Sequence, residues 1–457
     1  MNECFEIEKK QNSVTTFMSN LIDSNSERNS LLQEMLLPIF CALLAAFLSW
    51  LILSQGIKLT PDGWGYWEGS VSILSGHGYK YFGGQAILSF PPLFSLYLSV
   101  IQGITGVSGY SLMYSLSLLS AITAFCWSFL LICLTRGIKE IQFSRWVGSL
   151  YLSAFVGYYF TFLLSETLFL PILGLFFIQL RRVQINEKSI NQCLPELVAV
   201  WFIMALMMLT RNSCIAFLPG LAFVVYLQHK KSCYSHQLFL SLMSFFIPLS
   251  IWFFFRYFMG ATGSHEFSQG GKYSPLEYLI QFISDLCYRL GPTRFHIGTI
   301  LLISVISAIS VLWRPQNTAM HFLYLIALFA FSGTFGLFCM FNIMQIFDTL
   351  TDRFIWYLPM IFVTLLVACI AYSEGLRRTM LILLLCVITM CQILRTSNRV
   401  CNLMQTQLNA NVSGDYTISP DYISRPPVHL GDRTLISPPD FAWIKRNPCK
   451  NGALKTF

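Results

Sequence analysis

Residues 36–55 read LLPIFCALLAAFLSWLILSQ, twenty positions without a charged side chain. A helix needs about 20 mostly apolar residues to cross the hydrocarbon core of a bilayer. Ten further apolar runs follow it, and none alternates in polarity as a membrane β-strand would. The sequence therefore predicts an all-α polytopic membrane protein with about 11 transmembrane helices. The runs lie near 36–55, 110–135, 145–163, 166–181, 196–211, 213–229, 237–258, 296–313, 319–342, 354–373 and 378–394.

The composition supports the same class. Hydrophobic residues make up 55% of the 457 positions and charged residues 11%, whereas a soluble domain is about 25% charged. The net charge of +8 comes from Lys and Arg residues placed between the apolar runs. This placement indicates membrane loops and a lipid bilayer as partner, and it argues against nucleic-acid binding.

The ends of the chain differ from its middle. Residues 1–35 are polar, and no small-residue cleavage site follows the first apolar run, so that run is interpreted as a retained span. Fourteen cations fall on the N-terminal segment and the loops of its side, and eight on the short loops opposite. The positive-inside rule then predicts a cytoplasmic segment 1–35, a transmembrane domain 36–394 and a short extracytoplasmic tail 395–457.

The 14 cysteines form no CxxC pair and no Cys/His ligand spacing. Most lie inside apolar runs, where free cysteine is a small apolar filler. A pairing of Cys401 with Cys449 in the tail stays open.

The predicted first outer loop, 56–109, is long for a membrane protein loop. Its stretch Leu93–Gln102 is apolar but too short to span, which predicts an interfacial helix. Asp62 lies about six residues beyond the first span, where a carboxylate is in water yet close to lipid head groups. Such a group suits a general base, although a solvated loop aspartate is the ordinary alternative.

The residues around Asp62 carry a family resemblance. The loop reads DGWGYW at 62–67, SILSGHGY at 72–79 and FPPLF at 90–94. This order and spacing resemble the first loop of GT-C glycosyltransferases, which use polyprenyl-phosphate-linked sugars. Later segments are similar to the family too: SETLF at 165–169, TR at 210–211 with LP at 218–219, and DRF at 352–354 with LP at 358–359.

Within that class, the chain is most similar to bacterial lipid A aminoarabinose transferases and protein O-mannosyltransferases. The mannosyltransferases have Asp-Glu in this loop, whereas Gly63 follows Asp62 here. That departure argues against protein mannosylation.

The resemblance implies an inverting transfer from a polyprenyl-phosphate sugar to an extracytoplasmic glycolipid, glycan or protein, at the outer face of the cytoplasmic (inner) membrane. It implies Asp62 as general base and Glu166 as a second catalytic carboxylate. Glu166 has no cation beside it in the sequence, and an N-terminal helix cap formed by Ser165 and Glu166 is the alternative. No cofactor is certain, and a divalent metal stays open.

The remaining candidates contact substrate or metal. Each has an ordinary alternative: an arginine that snorkels to the interface, an aromatic belt residue, or a solvated histidine. The substrate-binding candidates are Tyr66, Lys80, Arg211, Arg294 and Arg353, and the metal candidates are His77 and His265.

Two other functions fit a membrane protein of this kind. A transporter or flippase of lipid-linked saccharide would place ionisable residues at mid-span and break its helices in paired halves. A polysaccharide polymerase or ligase of another membrane fold would use outward arginines without needing the loop around Asp62.

Overall fold

The computed structural model describes residues 34–54, 57–59, 61–81, 84, 86–87, 90–136, 138–185, 190–228, 234–259, 276–277, 280, 318–343, 357–406, 416–418 and 444–445. This part of the chain is nearly all helical, which confirms the predicted all-α class. The helices are α1 (Glu34–Leu53), α2 (Pro61–Leu74), α3 (Leu93–Thr105), α4 (Gly109–Thr135), α5 (Gln142–Tyr159), α6 (Glu166–Ile185), α7 (Ile190–Thr210), α8 (Leu218–Gln228), α9 (Tyr234–Phe258), α10 (Thr318–Ile343), α11 (Tyr357–Ala371) and α12 (Gly375–Thr406). Short 3₁₀ helices cover Lys139–Ile141 and Asn212–Phe217.

Four of these helices are long and apolar enough to cross a membrane: Glu34–Leu53, Gly109–Thr135, Ser235–Phe258 and Gly375–Asn398. Shorter apolar helices account for further predicted runs, among them Leu194–Thr210 and Tyr357–Ala371. The predicted run 296–313 lies outside the described residues, so the number eleven remains a prediction.

Three sequence-based boundaries differ from the structure. The run 213–229 is not one helix, because a 3₁₀ helix occupies Asn212–Phe217 before α8 begins. The last run was predicted to end at 394, but α12 continues to Thr406. A helix is present where the interfacial one was expected: α3 begins at Leu93.

A small antiparallel sheet joins the first loop to the tail. Strands β1 (Ile57–Leu59), β2 (Tyr416–Ile418) and β3 (Ile444–Lys445) pair in that order, with Ile57 opposite Ile418. Strand β2 therefore lies at the end of the bundle where α1 finishes. Glu34, at the start of α1, lies at the opposite end beside Arg145.

The bundle has two ends, named after Asp62 and Arg145. The Asp62 end contains the end of α1, the starts of α2 and α6, and the end of α7. The Arg145 end contains the end of α4, the start of α5 and the start of α12, where Arg378 pairs with Glu140 at 2.6 Å.

Polar contacts inside the apolar core fix how the helices pack. The indole Nε1 of Trp127 on α4 donates to the carbonyl oxygen of Leu170 on α6 at 3.0 Å. Gly174 lets these two helices approach closely, since a Cβ there would lie 3.1 Å from Trp127. Small residues at helix contacts are the usual means of close packing in membranes. This contact places the start of α6, and with it Glu166, against the rest of the bundle.

Candidate active site

Asp62 lies in the first turn of α2, which begins at Pro61. Proline suits the first helical position because its missing N–H would have no partner there. A carboxylate in the first turn is stabilised by the exposed backbone N–H groups of the helix. Asp62 is half-buried, so one side of it is accessible to a reacting molecule.

Gly63 brings α2 into direct contact with the segment before α6. A Cβ at this position would lie 2.4 Å from the carbonyl oxygen of Leu163, a backbone atom that cannot move aside cheaply. Any larger residue at 63 would separate the two segments. The departure from Asp-Glu noted in the sequence therefore has a structural reason: the side chain after Asp62 has no room here.

Glu166 forms a buried ion pair with Arg211. Its Oε1 lies 3.2 Å from Nη2 of Arg211, and the side chains are 4% and 9% exposed. The hydroxyl of Ser165 donates to the other carboxylate oxygen at 3.3 Å. No cation lies beside Glu166 in the sequence, but in the fold Arg211 reaches it from the end of α7, far along the chain. The carboxylate is thus bound by side chains rather than used as a simple helix cap.

Tyr66 lies between these groups. Its ring is buried and packs on Phe90 and Phe94, with centroids 5.0 and 5.2 Å away. Burial raises the pKa of the Tyr66 hydroxyl. A hydrogen bond with Ser165 opposes this rise, the charges of Glu166 and Asp62 add to it, and Arg211 lowers it. The phenol is therefore neutral and keeps its proton within the electrostatic reach of both carboxylates.

The turns that carried the family resemblance support this arrangement. Gly76 and Gly78 have φ values of 77° and 78°, a region that side chains rarely adopt. The chain then returns so that the hydroxyl of Tyr79 lies 3.3 Å from the carbonyl oxygens of Phe90 and Pro91. Burial is the main cause of a raised pKa at Tyr79. The GHGY and FPPLF turns thus hold each other, and they hold Phe90 against Tyr66.

Of the other predicted site residues, Lys80 and His77 lie in the described part of the chain. Lys80 is exposed and its strand segment bridges to Ala86. His77 is half-buried, and its backbone N–H donates to the carbonyl oxygen of Ser72. The described residues contain no group of three His, Cys, Asp or Glu side chains that would hold a metal ion. The candidates Arg294, Arg353 and His265 lie outside the described residues.

Sequence reasoning missed Arg256, near the end of α9. Its guanidinium lies 4.9 Å from the centre of the Trp252 ring, and its charge acts on Tyr79 in the first loop. The aromatic side chains beside it are mostly exposed: Phe253, Phe254, Tyr257 and Phe258. The signal was present in the sequence, since Arg256 lies at the end of the long apolar run 237–258 and is one of the eight cations that the sequence assigns to the short outer loops.

The cluster as a whole carries two carboxylates and one guanidinium, Asp62, Glu166 and Arg211. Arg211 pairs with Glu166, and Asp62 is the more accessible of the two carboxylates. Such an arrangement can accept a proton at Asp62 while the buried pair holds the surrounding helices in place.

Two solved structures are similar to this one. No family model matches this chain, and no curated protein matches its sequence. The structure is similar to that of ArnT from Cupriavidus metallidurans bound to undecaprenyl phosphate, with a TM-score of 0.44 and 14% identity over 81% of this chain and 78% of that one. It is also similar to an oligosaccharyltransferase from Archaeoglobus fulgidus in complex with zinc and sulfate, with a TM-score of 0.46 and 13% identity over 79% of this chain and 53% of that one.

Proposed function

We propose that this chain is a membrane glycosyltransferase that moves a sugar from a polyprenyl-phosphate donor to an extracytoplasmic acceptor. The observation that carries the proposal is the placement of half-exposed Asp62 beside the buried Glu166–Arg211 pair. Three segments far apart in sequence meet there: the start of α2, the start of α6 and the end of α7.

Asp62 is the general base of the proposed reaction. The acceptor hydroxyl oxygen attacks the anomeric carbon, and its proton passes to the Asp62 carboxylate. The bond from that carbon to the lipid phosphate oxygen breaks, and its electron pair leaves with the phosphate. Attack from the face opposite the leaving group inverts the anomeric configuration. Glu166 is the poorer base of the two carboxylates, since Arg211 and Ser165 already occupy both of its oxygens.

The leaving phosphate needs a fixed positive charge, because charge in a partly dry site is costly unless it is paired. Arg256 supplies that charge in our proposal, with Arg211 contributing at longer range through the pair. The exposed aromatic side chains around Arg256 suit contact with lipid, and so with a polyprenyl chain that lies in the bilayer. A guanidinium is well shaped for phosphate.

The site faces outward in this proposal, at the surface of the cytoplasmic membrane. The positive-inside rule puts the cation-rich loops of the Arg145 end in the cytoplasm. In this orientation β2, which pairs with β1, lies on the outer side with the site.

The test begins with identification of the sugar. Mass spectrometry of surface glycans from cells with and without the protein identifies the missing sugar, and that sugar is prepared as its radiolabelled polyprenyl-phosphate derivative. We expect Asp62→Asn to lower transfer by about 10²–10⁴-fold, the usual contribution of a general base. Glu140→Gln is the matched control, because Glu140 is an exposed carboxylate at the opposite end.

Two results would contradict the proposal. One is full transfer by a well-folded Asp62→Asn variant. The other is movement of the lipid-linked sugar across vesicles without product, which would favour a transporter. Equal loss of transfer in both variants would show a general effect of charge removal and would also count against Asp62.

A further inference from the structure

The Arg145 end contains a group of arginines that the proposed reaction does not use. Arg181 lies near the end of α6, and Arg136 follows the end of α4. The charges of Arg136, Arg181 and Arg182 all act on Cys133, one turn before the end of α4. These three arginines are called the inner arginine cluster below.

Among the described residues, Arg181 is the member of the cluster that has an unsatisfied hydrogen-bond donor. Its side chain is half-buried, and its Nη1 atom is enclosed without a hydrogen-bond partner among the described residues. Nearby Tyr372 is occupied, since its hydroxyl donates to the carbonyl oxygen of Leu134 at 3.4 Å. An enclosed cationic donor without a partner is costly, and an anion that reached it would remove that cost.

The guanidinium of Arg145, a buried arginine at this end, already has partners. Arg145 donates from Nε to the hydroxyl of Thr135 at 2.8 Å and from Nη2 to the Thr135 carbonyl oxygen, and it lies 4.0 Å from Glu34. We therefore do not expect Arg145 to bind a ligand. Arg181, whose Nη1 has no hydrogen-bond partner among the described residues, is the better candidate.

The balance of charge favours an anion. Two of the acids described at this end are taken by arginines outside the cluster, Glu34 by Arg145 and Glu140 by Arg378. A third, Glu374, is exposed at the start of α12, and a fourth, Glu196 on α7, lies level with Gln179 of α6, whose side-chain amide donates to the Glu196 carbonyl oxygen. The arginines and acids described at this end are Arg136, Arg145, Arg181, Arg182, Arg377 and Arg378 with Glu34, Glu140, Glu196 and Glu374, an excess of two cations.

We propose that the inner arginine cluster binds the phosphate head group of an anionic phospholipid in the leaflet at the Arg145 end, with Arg181 as the central contact. The cluster lies where apolar helices end, which is the depth of lipid phosphates. Basic pockets between transmembrane helices are suited to anionic head groups, and a guanidinium bonds phosphate with charge-assisted hydrogen bonds. This inference concerns the face opposite the proposed active site and does not depend on the proposed reaction.

Native mass spectrometry of the full chain in detergent tests the site directly, with phosphatidylglycerol and phosphatidylcholine as probes. We expect the protein to retain phosphatidylglycerol in preference to phosphatidylcholine. Arg181→Gln should weaken that retention about tenfold, the loss of one charged hydrogen bond. Arg378→Gln, a change at a half-buried arginine that is already paired with Glu140, should leave retention unchanged. Equal retention of the two lipids, or equal retention by Arg181→Gln and the unaltered protein, would overturn the proposal.

A second measurement keeps the test valid if Arg181→Gln does not fold. Ligands that bind only the folded state raise the unfolding temperature. We expect phosphatidylglycerol to raise that of the unaltered protein above its value in phosphatidylcholine, and inorganic phosphate at the same concentration to have no such effect. Equal temperatures in the two lipids would refute the site, and a rise with inorganic phosphate as large as that with phosphatidylglycerol would show that the ligand is not a lipid.

Discussion

The two buried arginines Arg211 and Arg145 lie at opposite ends of the same bundle and have different partners. Arg145 bonds to the hydroxyl and carbonyl oxygen of Thr135, with Glu34 at the edge. Arg211 bonds to the carboxylate of Glu166, which lies with Tyr66 and Asp62 in one electrostatic cluster. The hydrogen bonds of Arg145 satisfy groups at the end of α4, whereas Arg211 forms a buried ion pair with Glu166.

This difference indicates which end of the bundle is suited to a reaction. Neutral oxygens satisfy Arg145 without adding ionisable groups to the interior. At the Asp62 end, the buried Glu166–Arg211 pair shares one electrostatic cluster with a further carboxylate, Asp62, which is more accessible. Buried charge is costly, and a buried ion pair is weak evidence for stability. The Glu166–Arg211 pair near the ionisable Asp62 therefore suggests a functional site.

The largest effect that tests this comparison is Arg211→Met. It leaves Glu166 buried without its cation, which costs about 3–5 kcal/mol. Arg145→Met loses hydrogen bonds but leaves only the half-exposed Glu34 as a charge, for a cost of about 1–3 kcal/mol. Unfolding temperatures of the purified variants in detergent measure both, and activity should survive only in Arg145→Met.

A double variant separates charge from packing at Arg211. Arg211→Met combined with Glu166→Leu removes both charges, and replacement of a buried pair by apolar residues is often close to neutral. We expect most of the lost stability to return while transfer stays low. Equal destabilisation by Arg211→Met and Arg145→Met would show that the Glu166–Arg211 pair has no special place in the fold.

The next effect in size concerns how closely α2 approaches α6. In Gly63→Ala the new Cβ would meet the carbonyl oxygen of Leu163 at 2.4 Å, so the start of α2 must move. Overpacking of this kind costs about 1–3 kcal/mol, and a shift of about 1 Å at a reacting group lowers activity about 10²-fold. Transfer assays on the purified variant measure the change.

Gly103→Ala is the matched control for this helix glycine. A Cβ there would meet only the end of the Leu74 side chain, at 3.3 Å. We expect nearly full activity from it, since a flexible side chain can give way. Wild-type transfer by Gly63→Ala would mean that Asp62 does not depend on the contact with Leu163.

Hydrophobic runs alone predicted much of the bundle, because lipid forces each spanning segment to satisfy its own backbone. The same argument predicted one helix over 213–229. Apolar composition does not distinguish a continuous helix from a 3₁₀ helix that is followed by a short α-helix. It also ended the last helix at 394, where the composition becomes polar although α12 continues to Thr406.

The site was only partly predictable for a different reason. Asp62, Tyr66, Glu166 and Arg211 were each named from the sequence, but the ion pair between Glu166 and Arg211 is a fact of packing, which no spacing along the chain reveals. The pairing of Ile57 with Ile418 was not predicted either, because strands of two or three residues have no clear alternation. Arg256 was counted only as a loop cation, since its approach to Tyr79 depends on the same long-range folding.

The smallest effect separates the Tyr66 hydroxyl from its ring. Tyr66→Phe keeps the contacts with Phe90 and Phe94 but removes the hydrogen bond with Ser165, at a cost of about 1 kcal/mol. Tyr97→Phe is the matched control, since that hydroxyl donates to the Ser115 carbonyl oxygen at 2.8 Å, on helices α3 and α4. Both variants should lose similar stability, whereas transfer should fall, by up to about tenfold, in Tyr66→Phe alone, because only Ser165 also donates to Glu166. An equal fall in transfer for both variants would assign Tyr66 a role in packing, and the cluster at the Asp62 end would then consist of its three charged residues.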